Sequence, residues 1–201
     1  MPKRGYHHGN LRQALVDAAL TLIETRGPTG FTLSEAAKQA GVTPAAVYRH
    51  FAGRDDLIAE AARQGFVIFA EAQDKALGPD PSCPIEGFIA SGHAYLRFAH
   101  DHPGHYMAMF ESGIAVDRSP ALAEAAARAR ARFDQAATRL CGRLPAANCP
   151  PADLFAAHVW ALSHGIVELF ARNPRPDGPA PEMLLETALT TYLHGLGLSR
   201  D

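Results

Sequence analysis

Apolar residues recur at steps of three and four along almost the whole chain, and wherever the recurrence stops, a glycine, a proline or a capping side chain stops it. Leu11, Ala14, Leu15, Ala18, Ala19, Leu22 and Ile23 fall on one face of a first helix, which Arg26-Gly27-Pro28 ends. Thr32-Leu33-Ser34-Glu35 has the capping-box pattern, in which threonine and glutamate each satisfy a backbone donor at the other's position. It opens a short helix through Ala40, with Gly41 as the left-handed exit. Thr43 follows as a second N-cap, and Pro44 takes the first helical position, where its missing N–H costs nothing. Asp55 and Asp56 suit the start of a long helix towards Leu77, because carboxylates there are favoured by the macrodipole. GPDPSCP interrupts the pattern at 78–84, and further helices are expected at about 84–101, 103–113, 119–144, 151–172 and 181–197. The polar, proline-rich NPRPDGPAP precedes the last of them. Strand patterns are almost absent. The fold class is all-α, with an N-terminal three-helix unit containing a helix-turn-helix and a larger C-terminal helical body. The expected division is 1–54 and 55–201.

The formal charge of −2 hides an asymmetry. Residues 1–54 carry seven basic and three acidic side chains, net +4, whereas 55–201 carry 12 basic and 18 acidic ones, net −6. A basic head on an acidic body points to a polyanion met by the head alone, although a surface charge count of this size also arises by chance. The three cysteines, Cys83, Cys141 and Cys149, are odd in number and have no metal-type spacing. They read as thiols of a cytoplasmic protein rather than a disulfide framework. No apolar run is expected to reach the roughly 20 residues of a membrane span, and the basic start MPKRGYHHGNLR has no apolar segment behind it. The expectation is therefore a cytoplasmic chain with no membrane partner.

Placing residues 44–51 on a helix at about 100° per residue turns Val47 and Phe51 inward, joined by Val42 from the turn. Ala45 and Arg49 fall on the opposite side, with Ala46, Tyr48 and His50 on the flanks. Small residues at a helix start let the backbone approach base edges, and tyrosine, arginine and histidine can bond phosphates or a base. Arg49 suits guanine, while Tyr48 and His50 suit phosphate. A solvated surface on a small structural helix is the plainer alternative.

The stretch FTLSEAAKQAGVTPAAVYRHFAGRDDL, 31–57, resembles the DNA-binding signature of the TetR family of bacterial transcriptional regulators. The resemblance implies that Thr32 and Tyr48 contact phosphate, that His50 lies by the DNA backbone, and that Arg54 stands where the family often has lysine. It also makes Thr43, Pro44, Ala45, Ala46 and Arg49 the variable positions that read sequence. RGYHHGNLR resembles the opening of one branch of that family, so Lys3 and Arg4, with Tyr6 and His7, are either a DNA-contacting arm or a disordered terminus. In the body, Trp160, His164 and Gly165 of WALSHG and the segment HPGHYMAMF, 102–110, resemble the family's WHG-type C-terminal domain.

The body offers two broad apolar helix faces. Leu154, Phe155, Val159, Leu162 and Ile166 lie on one helix, and Leu184, Leu185, Leu189, Tyr192 and Leu193 on the last. They could form half of a four-helix homodimer interface, as TetR relatives do, or be buried within one chain. Tyr95, Phe98, Tyr106, Met109, Phe110, Trp160 and His164 could line a cavity for a small organic effector, which the resemblance implies; each is also an ordinary core residue. His100, His102 and His105 invite a metal reading, but Pro103 starts a helix among them and no metal is expected. ARARARF, 128–133 with its preceding alanine, reads as a solvated helix surface. There is no Gly-rich phosphate loop, His-Glu-x-x-His, Cys-x-x-Cys or Gly-x-Ser-x-Gly, so no cofactor is expected. The leading expectation is a homodimeric repressor of double-stranded operator DNA, released by a small effector through the helix 55–77. The alternative is a small helical enzyme or metal sensor built on body histidines such as His158 and His164, with Glu168.

Overall fold

The computed structural model of the chain describes residues 8–78, 84–144, 150–172 and 176–198. Lys3, Arg4, Tyr6, His7, Cys83 and Cys149 lie outside the described residues. The helices are α1 (His8–Arg26), α2 (Leu33–Gln39), α3 (Pro44–Val47), α4 (Arg54–Leu77), α5 (Pro84–Asp101), α6 (Pro103–Phe110), α7 (Pro120–Cys141), α8 (Ala152–Ile166) and α9 (Pro181–Gly195). A short 3-10 turn covers Val116–Arg118, and α8 widens into a π turn at Val167–Ala171. No strand occurs among the described residues.

α6 and the 151–172 stretch depart from expectation for local reasons. α6 stops at Phe110 rather than near 113, because the Ser112 hydroxyl donates to Ala108 O at 2.7 Å and accepts the Ile114 N–H at 3.2 Å. Those side-chain bonds replace the next helical turn. The stretch expected as one helix over 151–172 changes hydrogen-bond register at its end, where the Arg172 N–H donates to Val167 O at 2.9 Å.

By packing, the chain forms two compact units: residues 1–67 with 102–126, and residues 68–101 with 127–201. This packing division does not follow the 54/55 boundary expected on functional grounds, because α6 packs on α1. The Gly104 N–H donates to Glu24 Oε1 at 3.2 Å. A Cβ at Gly104 would come within 2.9 Å of Leu20 O, so only glycine permits this approach.

In the first unit, α1 buries more than the single predicted stripe. Val16 is fully buried beside Leu15, Ala19 and Ile23, since α2 and α6 both pack against α1. Phe31, Leu33, Val47, Phe51, Leu57 and Ile58 complete this core. One carboxylate lies at its edge. Glu60, 9% exposed, receives Arg12 at 2.9 Å and Arg63 at 2.8 Å, with Gln64 at 3.1 Å. Arg12 also lies over the Phe51 ring, 4.9 Å from its centroid.

In the second unit, Phe88 packs on Phe133 and Phe155 at 5.8 and 5.3 Å, and Phe155 stacks on Tyr192 at 5.6 Å. Leu185, Leu189 and Leu193 bring α9 into the same core. Cys141 is buried and forms no disulfide with any described residue. One expectation is corrected: the 20-residue helical stretch Ala152–Ala171 is long and apolar enough, by length and composition, to cross a membrane. It nevertheless carries Asp153, His158, His164 and Glu168, and buries Phe155, Val159 and Ile166 inside the unit. That one-sided burial is the pattern of an amphipathic helix packed on a core.

Acid should loosen the first unit. Burial alone would raise the Glu60 pKa, but the hydrogen bonds from Arg63, Arg12 and Gln64 outweigh it and hold the group at about 2, against an ordinary 4.5. A depressed carboxylate pKa contributes stability above 4.5 that is lost as pH falls towards 2. Burial, then the neighbouring His102, hold the His105 imidazole at about 4 rather than 6.5, against the opposing pull of Asp17. Protonation of His105 therefore favours unfolding as pH falls from 6.5 to 4. Glu60→Gln is expected to lower stability at pH 7 by about 1–3 kcal/mol and to flatten the acid limb between 4.5 and 2, read from urea midpoints across pH.

Candidate nucleic-acid interface

The helix-turn-helix is held by local bonds at each joint. At the start of α2 the Thr32 N–H and hydroxyl donate to Glu35 Oε2 at 2.8 and 2.9 Å, and the Glu35 N–H returns to Thr32 Oγ1 at 3.2 Å. Arg26 reaches the other Glu35 oxygen at 2.8 Å. Bonds from the Thr32 backbone and hydroxyl, then from Arg26, keep the Glu35 carboxyl below its ordinary pKa. Thr32 is exposed, but its hydroxyl proton is engaged, so a phosphate contact there requires it to leave Glu35. At the other end of α2, Gly41 adopts φ +72. Its N–H donates to Lys38 O at 3.1 Å and the Val42 N–H to Ala37 O at 2.9 Å, the paired bonds of a Schellman exit.

Regular α3 is shorter than the expected 44–51: it ends at Val47, and Tyr48 to His50 form a turn. The His50 and Phe51 N–H groups both donate to Val47 O, at 2.9 and 3.0 Å, so the inward and outward faces persist through the turn. Val47 and Phe51 are buried. Thr43, Pro44, Ala45, Tyr48 and Arg49 are exposed, and Ala46 and His50 half-buried. Thr43 occupies the N-cap position but makes no side-chain capping bond. The Ala46 N–H instead bonds Thr43 O at 3.0 Å, and Thr43 is exposed. Tyr48 is 63% exposed, an aromatic ring held in solvent above a closed core. Arg54, at the first position of α4, donates to Thr29 O at 3.3 Å and lies 3.4 Å from Asp55.

The aromatic residues expected to line an effector cavity divide between the two units. Tyr95, Phe98, Trp160 and His164 belong to the second, and Tyr106, Met109 and Phe110 to the first, where Tyr106 and Phe110 lie 5.0 Å apart. In the second unit, Tyr95 Oη lies 2.9 Å from His164 Nδ1, and Tyr95 meets Trp160 edge-on at 5.7 Å. Sequence reasoning missed Phe133, 5.8 Å from Trp160, and Arg130, whose guanidinium lies 5.9 Å above the Trp160 ring. Phe69, from α4, meets Tyr95, Phe98 and Trp160. The two histidines of the alternative acid–base grouping, His158 and His164, each meet a tyrosine hydroxyl. His158 bonds Tyr192 at 2.8 Å, whereas His164 bonds Tyr95. Among the described residues no group of three or more His, Cys, Asp or Glu side chains is placed to hold a metal ion.

The expected interface residues divide by burial. Phe155, Val159, Ile166, Leu185, Leu189 and Leu193 are at most 5% exposed within one chain. Leu162, Leu184 and Tyr192 are half-buried, and Leu154 is 46% exposed. The outward apolar groups of α8, its π turn and α9 are Leu154, Leu169 and Met183.

Residues 15–61 match the family described as bacterial regulatory proteins, tetR family, and residues 88–192, about half of the chain, match the tetracyclin repressor-like C-terminal domain. A BetI transcriptional regulator from Brucella anthropi is 32% identical over 103 residues, covering 50% of this chain and 53% of that protein. The chain spans about half the length of the curated relatives it matches. A solved protein of unknown function from Rhodococcus sp. RHA1 is 28% identical and covers 98% of this chain and 100% of its own, with a TM-score of 0.80. AibR, solved with isovaleryl coenzyme A and operator DNA, shares the fold at 18% identity, over 90% of this chain and 97% of its own, with a TM-score of 0.67.

Thr32→Ala removes the hydroxyl half of the capping box and is expected to cost about 1 kcal/mol, whereas Arg49→Ala, on an exposed side chain, should stay within about 0.5 kcal/mol. Thermal melts of the two variants against the parent chain check the contrast.

Proposed function

The chain belongs to the TetR family of bacterial regulatory proteins, and from that premise we propose that it is a sequence-specific transcriptional regulator. In this reading it is a cytoplasmic homodimer that represses by holding double-stranded operator DNA and lets go when a small organic effector binds the body. The carrying observation is the outward face of the α3 segment. Thr43, Ala45, Tyr48 and Arg49 stand exposed over the buried Val47 and Phe51, on a helix pair whose caps and exit are closed. Small residues at the start admit close backbone approach, and Arg49 has the forked geometry that suits guanine. Tyr48, His50, Thr32 and Arg54 take the phosphates, with Lys3 and Arg4 extending the contact from the arm.

For dimerisation, the support is the exposed face of Leu154, Leu169 and Met183, continued by the small residues Ala161, Thr187 and Thr191. Two copies of such a face pack isologously and set the two heads about one helical turn of DNA apart. For the effector, the support is the aromatic group around Trp160 together with Ser163. That residue is 2% exposed, and its hydroxyl has no partner among the described residues. AibR, in complex with isovaleryl coenzyme A and operator DNA, supports a role that joins ligand and DNA on this architecture. An effector releases DNA only if it binds the non-binding state more tightly. No catalytic role forms part of this reading.

Selection from random duplexes at fixed salt tests it. The parent chain should enrich a palindrome. Arg49→Ala should relax preference at one base pair per half-site by about tenfold, and Tyr48→Ala should weaken all sequences alike. Salt-sensitive binding with no enriched sequence would overturn specific regulation. Sedimentation should give a dimer for the parent and a helical monomer for Leu169→Glu/Met183→Glu; a double variant that stays dimeric places the interface elsewhere.

A further inference from the structure

Arg118 lies between α6 and α7, outside the 15–61 stretch that matches the DNA-binding family, yet it reaches the first turn of α4. Its Nε and Nη2 both donate to Asp56 Oδ1, at 3.1 and 2.7 Å, across 62 positions of sequence. Both side chains remain partly open to solvent, at 40% and 37%. The pair borders an open depression of about 500 Å³, which Thr32, Arg54 and Asp55 complete over Phe31. Thr32 and Arg54 are the groups that the proposed function sets against the DNA backbone, so two carboxylates stand where a phosphate must approach. Asp55 is met by Arg54 at 3.4 Å. Asp56 is met by Arg118. An uncompensated Asp56 would draw Arg54 towards itself and repel the phosphate.

We infer that Arg118 is a positioning residue for DNA binding: by pairing with Asp56 it keeps Arg54 available to the DNA backbone, without contacting the DNA itself. This rests on the reading of the first unit as a DNA-binding head. An exposed ion pair contributes little to stability, so a merely structural role would leave DNA affinity unmoved. Sequence reading of the helix-turn-helix alone could not find Arg118, because its partner lies so far away in the chain.

The test uses the full-length chain on its selected duplex and on an unrelated duplex, at several salt concentrations, with circular dichroism confirming that each variant is helical. Arg118→Ala should weaken both duplexes by about three- to tenfold at low salt, with the effect shrinking as salt rises. Asp56→Asn should bind at least as well as the parent, although it also breaks the pair. The double variant Arg118→Ala/Asp56→Asn should recover parental affinity. Undiminished binding by Arg118→Ala overturns the inference. So does weakened binding that Asp56→Asn fails to restore, with the salt slope lowered by about one, because Arg118 then touches phosphate directly. A parent chain that retains no duplex sinks the DNA-binding reading itself, which separates the two failures.

Discussion

The exposed face of the α3 segment depends on a carboxylate that hardly meets water. Glu60 sits on α4 and takes Arg12 from α1, Arg63 from its own helix and an amide from Gln64. Arg12 then continues over the ring of Phe51, the residue that closes the α3 segment from below. One ionic centre thus ties the first helix, the long fourth helix and the underside of the recognition segment. A buried acid without its partners would carry a heavy desolvation cost, so the three elements hold one arrangement or lose the ion pairs together. The outward display of Tyr48 and Arg49 is the far side of that arrangement.

Local chemistry made the head legible before its structure. The capping box at Thr32, the left-handed Gly41 and the Val47–Phe51 pair depend on residues within five positions of one another, and the structure has each. What stayed hidden acts across the chain. Glu60 reads as an ordinary surface glutamate until Arg12 is brought to it from 48 positions away. Val16 reads as an off-stripe residue until α6 packs on α1. Thr43 shows the limit of local patterns as well. Its position and backbone are those of an N-cap, yet Pro44 and the backbone close the turn without its hydroxyl.

In the body, periodicity located the helices but could not say which side of each faces its own core. The broad apolar faces of α8 and α9 are mostly internal, with Phe155 stacked on Tyr192 and Leu185 and Leu189 fully buried. What remains outside is sparser: Leu154, Leu169 and Met183 among alanines and threonines. That composition suits close helix approach between copies better than a wide greasy patch does. The aromatic group at Trp160 draws on α4, α5, α7 and α8, so no single stretch of sequence announces it. Its polar members, Tyr95 and His164, bond each other.

The central claim is that two copies of this head read DNA in successive major grooves. Hydroxyl-radical footprinting on a duplex recovered by selection tests it most directly, because it maps contacts without assuming which side chains make them. The account predicts two symmetric clusters of protection, centred about 10 base pairs apart on one face of the duplex. A single cluster, or continuous protection without symmetry, would contradict it.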